Sequence, residues 1–305
     1  MINDIKNEII RLKKENNICI LAHCYENRDV VEVADFVGDS FALAKKAAAC
    51  TADTVIMCGV RFMAEGVKLL APEKKVILSA SDAGCPMADQ FTGEDVRAFR
   101  AKNPGYAVVA YINTTADIKK ECDVCVTSAS AVKIVKNMPE KDILFIPDCN
   151  LGAYVKSKVP EKNIVTWKGG CPVHNAITGD EAIAAKKAHP EALLLVHPEC
   201  DPAVAAEADF LGSTTEIMDF AKVSDKKEFI IGTENSIVEH LKHECEGTGK
   251  KFYPLSKRLI CADMKLTTIV DVLDCCRGEG GEVIEIDAET AEKAVSCLNR
   301  MIELG

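Results

Sequence analysis

One pattern recurs three times along the 305-residue chain, and each copy carries a cysteine at the same place. The three are Cys85, Cys171 and Cys261, separated by 86 and 90 residues. Each follows a short strand-like run: Val76-Ile77-Leu78, Ile164-Val165-Thr166-Trp167 and Phe252-Tyr253-Pro254-Leu255. A repeat of about 88 residues is far too long for a solenoid unit and implies triplicated domains. If the copies fold alike around a pseudo-threefold axis, one thiolate per copy reaches a common point. Three thiolates hold a metal centre and leave one coordination position open. That suits a Lewis acid, whereas a structural site closes its fourth position.

The start of each copy repeats as well. Copy one reads Ile18-Cys19-Ile20-Leu21-Ala22-His23, copy two Ala107-Val108-Val109-Ala110-Tyr111, and copy three Leu193-Leu194-Leu195-Val196-His197. From the polar residue ending this run to the next hydroxyl is 17 positions each time: His23 to Ser40, Tyr111 to Ser128, His197 to Thr214. A leading helix is expected in each copy, over 3–15, 93–102 and 179–188. The last two open with Thr-Gly-Glu-Asp and Thr-Gly-Asp-Glu, which place acids in a helix's first turn. Short apolar runs follow, at 18–22, 35–38, 54–58 and 76–79, at 107–112, 123–127, 143–147 and 164–167, and at 193–196, 209–211, 228–232 and 252–255. Alternating with helical stretches, they read as buried parallel strands. The expected fold class is α/β, with three pseudo-threefold-related α/β/α domains, each holding a small parallel sheet. They span 1–86, 87–172 and 173–262, and a tail over 263–305 packs its helices back on the body. Ligands bind beyond the carboxyl ends of such strands, where His23, Tyr111 and His197 stand.

Net charge is −10, with no basic block, which argues against nucleic acid and membrane surfaces as partners. No run of 18 apolar residues exists, and the first residues are helical and charged, unlike a signal peptide. The expected location is cytoplasmic. In that reducing compartment fifteen cysteines read as thiols and metal ligands, not as a disulfide framework.

Cys19, Cys50, Cys58, Cys149, Cys275, Cys276 and Cys297 lie on apolar faces and read as small buried hydrophobes. Cys122-x-x-Cys125 has redox spacing, yet the other copies have no cysteine there, and it reads as structural. Ser40, Ser128, Ser213 and Thr214 precede helical runs. They read as N-caps, and the same helix starts offer free N–H groups to carboxylates and phosphate. Tyr25, Asn113 and Glu199 follow His23, Tyr111 and His197 by two residues. Six polar residues at matching positions read as a site. His174 follows Cys171 at ligand spacing. With Cys85, Cys171 and Cys261 it would complete a closed zinc site, the main rival to an iron–sulfur cluster.

The combination of His23-x-Tyr25, Gly38-Asp39-Ser40, Tyr111-x-Asn113-Thr114, Thr127-Ser128, Pro147-Asp148-x-Asn150-Leu151-Gly152, Trp167-x-Gly169-x-Cys171, His197-Pro198-Glu199-Cys200, Gly212-Ser213-Thr214 and Cys261-x-x-Met264-Lys265 resembles the quinolinate synthase family over nearly the whole chain. The resemblance implies a threefold pseudo-symmetric fold with an oxygen-sensitive 4Fe–4S cluster at its centre. It implies a transferase that condenses iminoaspartate with dihydroxyacetone phosphate, giving quinolinate, phosphate and water in NAD biosynthesis. Cys85, Cys171 and Cys261 would ligate the cluster, whose open iron acts as Lewis acid. His23, Ser40, Tyr111, Asn113, Ser128, His197, Glu199, Ser213 and Thr214 would bind substrate. Tyr25 and Glu199 would move protons, with His23 and His197 in the catalytic set. The iminoaspartate-producing enzyme would be a transient partner. Cys24, Glu26 and Asp263 depart from the family's usual Asn, Gln and Asn. The extra cysteines that some members carry near the third ligand are absent, so no redox switch is expected there. Two rivals stand beside this reading: a zinc enzyme acting on a similar phosphorylated or dicarboxylate substrate, and a non-catalytic protein stapled by zinc.

Overall fold

The computed structural model describes residues 2–305. The chain forms two compact units. The first comprises Met1–Lys102, Ile112–Cys125 and Ala262–Arg300; the second comprises Asn103–Tyr111, Val126–Cys261 and Met301–Gly305.

In the first unit, parallel strands β1 (Ile18–His23), β2 (Phe36–Gly38), β3 (Thr54–Cys58) and β4 (Lys75–Leu78) form a sheet with the short strand Glu282–Val283. The order is Glu282–Val283, β4, β3, β1, β2, and only the first pairing is antiparallel. Strand residues alternate between faces. Ile20, Ala22, Ile56 and Cys58 share one core with Ile9 of the helix Ile2–Glu15 and Val272 of the helix Ile269–Arg277. Leu21, Val55 and Met57 point the other way and are equally buried. Burial on both faces explains why these strands read as continuous apolar runs.

In the second unit, β5 (Ala107–Tyr111) leads, while β6 (Val124–Val126) lies where the chain passes from the first unit into the second. Strands β7 (Asp142–Ile146) and β8 (Asn163–Thr166) follow, and β5, β7 and β8 pair in parallel in that order. A further parallel sheet contains β9 (Leu193–Val196), β10 (Phe210–Leu211), β11 (Glu228–Gly232) and β12 (Lys251–Pro254), in the order β10, β9, β11, β12. Gly152 lets the helix Cys149–Lys158 lie close on its sheet: a Cβ there would come within 2.4 Å of Thr166 Cγ2 and 3.0 Å of Phe145 Cδ1.

Two local devices recur between copies. Asp35 Oδ2 accepts from Ile20 N at 2.9 Å, and Asp209 Oδ2 accepts from Leu194 N at 2.8 Å, each across 15 residues. Both carboxylates seal the opening of a parallel strand. The helices Gly93–Lys102 and Gly179–Ala188 begin and end where the sequence places them. Thr92 exchanges bonds with Asp95, and Thr178 forms a capping box with Glu181. In the tail, a helix runs Ile269–Arg277. Its start is set by a Thr268–Asp271 capping box and its end by Gly278, at φ 79°. Among the described residues no helix is long and apolar enough to cross a membrane.

Candidate active site

In the first unit, His23 closes β1 and is buried. The chain turns back at once, because Glu26 N donates to the His23 carbonyl at 3.0 Å and Tyr25 N donates to His23 Nδ1 at 3.1 Å. The two rings meet edge to face at 4.5 Å. Lys265 Nζ donates to the Tyr25 carbonyl, which ties the turn to the segment after Cys261. Asn113 lies in the turn after β5 and is half-buried. Cys85 lies in the loop after β4, where its carbonyl accepts from Asp89 N at 3.1 Å.

The second unit repeats the histidine turn. Cys200 N donates to the His197 carbonyl at 3.0 Å, and Glu199 N donates to His197 Nδ1 at 3.3 Å. Nδ1 is therefore an acceptor, and the proton of the neutral ring sits on Nε2. That nitrogen lies 3.3 Å from Ser128 Oγ. Burial holds His197 neutral down to about 4, with Glu199 raising its pKa and His174 lowering it.

Glu199 is 4% exposed, so its ionised form needs partners. His174 Nδ1 lies 2.8 Å from Glu199 Oε2 and His197 Nδ1 lies 3.9 Å from it, while Tyr111 donates a side-chain hydrogen bond. Burial alone would raise the carboxyl's pKa, but the two histidines and Tyr111 outweigh it and hold it at about 2. His174 is lifted well above its ordinary value. Burial opposes this, but the charges of Cys171 and Glu199 dominate. Its Nε2 lies 3.1 Å from Thr233 Oγ1. Asn150 Nδ2 bonds the Glu199 carbonyl at 2.9 Å and Asn175 Oδ1 at 2.6 Å.

The same network makes acid stability testable. Above pH 6.5 His197 is neutral both folded and unfolded. As pH falls from 6.5 towards about 4, the unfolded chain takes a proton that the folded chain refuses, so stability is lost. The full effect is on the order of 3 kcal/mol. Denaturant titrations at pH 7 and 5 should show a smaller difference for His197→Asn than for the parent. An unchanged difference would mean that His197 does not titrate in this way.

Cys85, Cys171 and Cys261 are half-buried, as are Cys122 and, against the reading of them as buried hydrophobes, Cys50 and Cys149; the other nine cysteines are buried. Every one of the fifteen is a free thiol. Two candidate ligands share a support. Cys171 N donates to Asp148 Oδ2 at 3.1 Å, and Cys261 N approaches Glu234 Oε1 at 3.4 Å. Asp148 and Glu234 are fully buried and each stands two residues beyond its strand, β7 or β11. Burial and then Glu199 push the Asp148 carboxyl up to about 7, against the Leu151 and Cys171 N–H groups and His174. Accessible thiols on anchored backbone suit a thiolate-bound metal or cluster. Separately, Cys171, His174 and Glu199 each offer a ligand atom within 4.8 Å of the others, enough to hold a metal ion. Cys125 Sγ lies 3.1 Å from Cys297 Sγ, and Cys122 Sγ faces the Ile118 carbonyl, so the Cys-x-x-Cys pair is not joined to itself.

Comparison with known proteins decides the family. The family profile described as quinolinate synthetase A protein matches residues 7–303. The chain is 49% identical over 303 residues to a quinolinate synthase of Caldicellulosiruptor saccharolyticus, covering 99% of each chain. It is 47% identical over 297 residues to one of Alkaliphilus metalliredigens, covering 97% of each, and 45% identical over 300 residues to one of Methanoregula boonei, covering 98% of each. The chain belongs to the quinolinate synthase family.

For this quinolinate synthase family member, three cap readings need correction: Ser40, Ser128 and Thr214. Ser40 is the first residue of its helix, and Asp39 is the cap, accepting from Ala42 N at 2.9 Å. Ser128 lies in a turn whose helix starts only at Ala131, and Thr127 and Ser130 bond each other there. Its hydroxyl meets His197 instead. Ser213 does cap, in a capping box with Glu216, and Thr214 is buried at the first helical position. The structure thus gathers Tyr111, Ser128, His197 and Glu199 with Cys171 and His174 in the second unit. His23, Tyr25, Ser40, Cys85 and Asn113 lie in the first. Sequence reasoning gave no role to Asp148 and Glu234. Their spacing of 86 residues, in step with the repeat, was the available signal.

Proposed function

We propose that the chain is a quinolinate synthase, a transferase that condenses iminoaspartate with dihydroxyacetone phosphate to quinolinate, phosphate and water for NAD biosynthesis. The observation that carries this is family membership over residues 7–303, with relatives called quinolinate synthase matched end to end. The reading keeps three domains, over 1–86, 87–172 and 173–262, and has Cys85, Cys171 and Cys261 converge to hold a 4Fe–4S cluster. Bound there, the cluster would supply a Lewis acid for oxygen leaving groups at its iron that has no protein ligand.

The remaining chemistry falls to side chains. Glu199, 2.8 Å from His174 Nδ1, takes part in proton transfer. Tyr25 is its partner in proton transfer, with its ring set by His23. Neutral His197 offers an Nε2–H beside the Ser128 hydroxyl, a donor pair for a substrate oxygen as negative charge develops. His23, Ser40, Tyr111, Asn113, Ser213 and Thr214 bind the carboxylate, phosphate and carbonyl groups. The reading includes a cytoplasmic location, supported by fifteen free thiols. It includes transient association with the enzyme that makes iminoaspartate, a reactive imine best passed on quickly.

A zinc centre is the second reading, favoured by the closeness of Cys171, His174 and Glu199. Against it, Glu199 and Thr233 already flank the two His174 nitrogens. Anaerobic purification separates the readings. The first expects brown protein containing iron and sulfide that forms quinolinate from the two substrates. Colourless protein with stoichiometric zinc and no quinolinate formation would overturn it.

A further inference from the structure

We propose that Lys119 is a positioning residue that sets the backbone of Asn113 for substrate. The proposal rests on the reading above that Asn113 binds substrate. Lys119 is fully buried at the end of the short helix Ala116–Lys119, in the first unit. Its Nζ donates to the Ile112 carbonyl at 2.9 Å and to the Thr114 carbonyl as well. These are the carbonyls on either side of Asn113. Thr114 N also donates to the Ile112 carbonyl, at 2.8 Å, so Asn113 is the centre of a γ-turn. One ammonium group therefore ties both ends of a three-residue turn whose middle residue is half-buried.

The surroundings make this costly unless the geometry is needed. Nζ sits 5.8 Å from the centre of the Phe62 ring, and Thr114 is fully buried. Burying an ammonium sacrifices hydration, and a buried charge is a weak source of stability. Methionine would fill similar space without that penalty. What the ammonium adds is direction: it fixes the carbonyl of the peptide before Asn113 and the carbonyl of the peptide after Thr114, clamping the turn from both ends. Glu65 completes the frame. Its Oε2 accepts from Ala116 N at 2.7 Å, and its carboxyl feels the Lys119 charge. A γ-turn on its own is a weak local structure, so without Lys119 Asn113 would sample other backbone angles. A displacement of about 1 Å in a positioning group is enough to cost up to about 100-fold in rate.

The test is a double-mutant cycle on the cluster-loaded enzyme, with Lys119→Met, Asn113→Ala and the pair. Circular dichroism and iron content serve as folding controls. Each single change is expected to lower kcat/KM for quinolinate formation by about 10-fold or more. In the Asn113→Ala background, Lys119→Met should cost less than about 3-fold further, because the group it positions is gone. Effects that multiply would overturn the proposal and leave Lys119 a structural residue. A folded Lys119→Met enzyme at the parent rate, beside an impaired Asn113→Ala enzyme, would sink this inference alone. An unimpaired Asn113→Ala enzyme would sink the substrate-binding reading on which it rests. If Lys119→Met does not fold, Lys119→Arg takes its place: it keeps the charge, but its longer planar head displaces the two carbonyls, and the same loss and non-additivity are expected.

Discussion

Serine at any one of Cys85, Cys171 or Cys261 is expected to leave the protein without iron and without quinolinate formation. The substitution changes one atom in size and hardness, and a hydroxyl oxygen is a poor ligand for an iron–sulfur centre. The backbone supports should survive, since Asp148 and Glu234 hold the N–H groups of Cys171 and Cys261, not their side chains. The protein should therefore fold but remain colourless. Cys19, Cys58 and Cys297 supply the contrast. They are buried, and burial is the leading cause that drives each thiol's pKa up, so they stay protonated. Alanine at any of them should leave iron and turnover largely intact. Iron and sulfide per chain, measured anaerobically, decide the matter. A serine variant at a named ligand with full iron and full activity would show the ligand set to be wrong.

Tyr25→Phe should reduce turnover by about 100-fold or more, the scale of a lost acid–base group. The ring and the backbone of Tyr25 are held by contacts of their own. The ring is fixed by its edge contact with His23, and the residue's backbone by His23 Nδ1 and Lys265 Nζ. None of these contacts uses the phenolic oxygen. Iron content should match the parent, and KM should rise much less than kcat falls. A variant with parent kcat and only a raised KM would make Tyr25 a binding residue. Glu199→Gln should lose activity on a similar scale for another reason. It removes the charge that faces His174 and His197, so a residual hydrogen bond would not restore it.

The elements of this fold were legible because both signals were strong. Continuous apolar runs marked strands buried on both faces, and threonine–acid pairs marked helix starts such as Thr92 and Thr178. Where the residue pattern was degenerate, reading failed. Any hydroxyl before a helical run looks like a cap, yet Asp39 outcompetes Ser40, and Ser130 and Thr127 close the turn around Ser128. The candidate site was visible as residue types in step with the repeat. Its connections were not. Nothing in the spacing of Cys171 and His174 says that the histidine leans on Glu199 and Thr233, because those residues come from other strand ends. Lys119 was invisible for the opposite reason: one of two adjacent lysines, Lys119-Lys120, in a polar stretch looks solvated.

The first unit draws on three separated stretches of chain, and the last begins at Ala262. Its sheet ends on Glu282–Val283, laid antiparallel against β4. During synthesis, β4 must emerge and wait about 200 residues before that neighbour exists. Until then it presents an open row of amide and carbonyl groups, with Val76, Ile77 and Leu78 on an unguarded edge. The helix Ile269–Arg277, which covers Ile9 and Ile56, arrives equally late. The nascent chain is therefore most prone to self-association after its N-terminal third is made and before its end is released. Protein yield in cells should depend on the last 40 or so residues far more than their distance from the candidate site suggests.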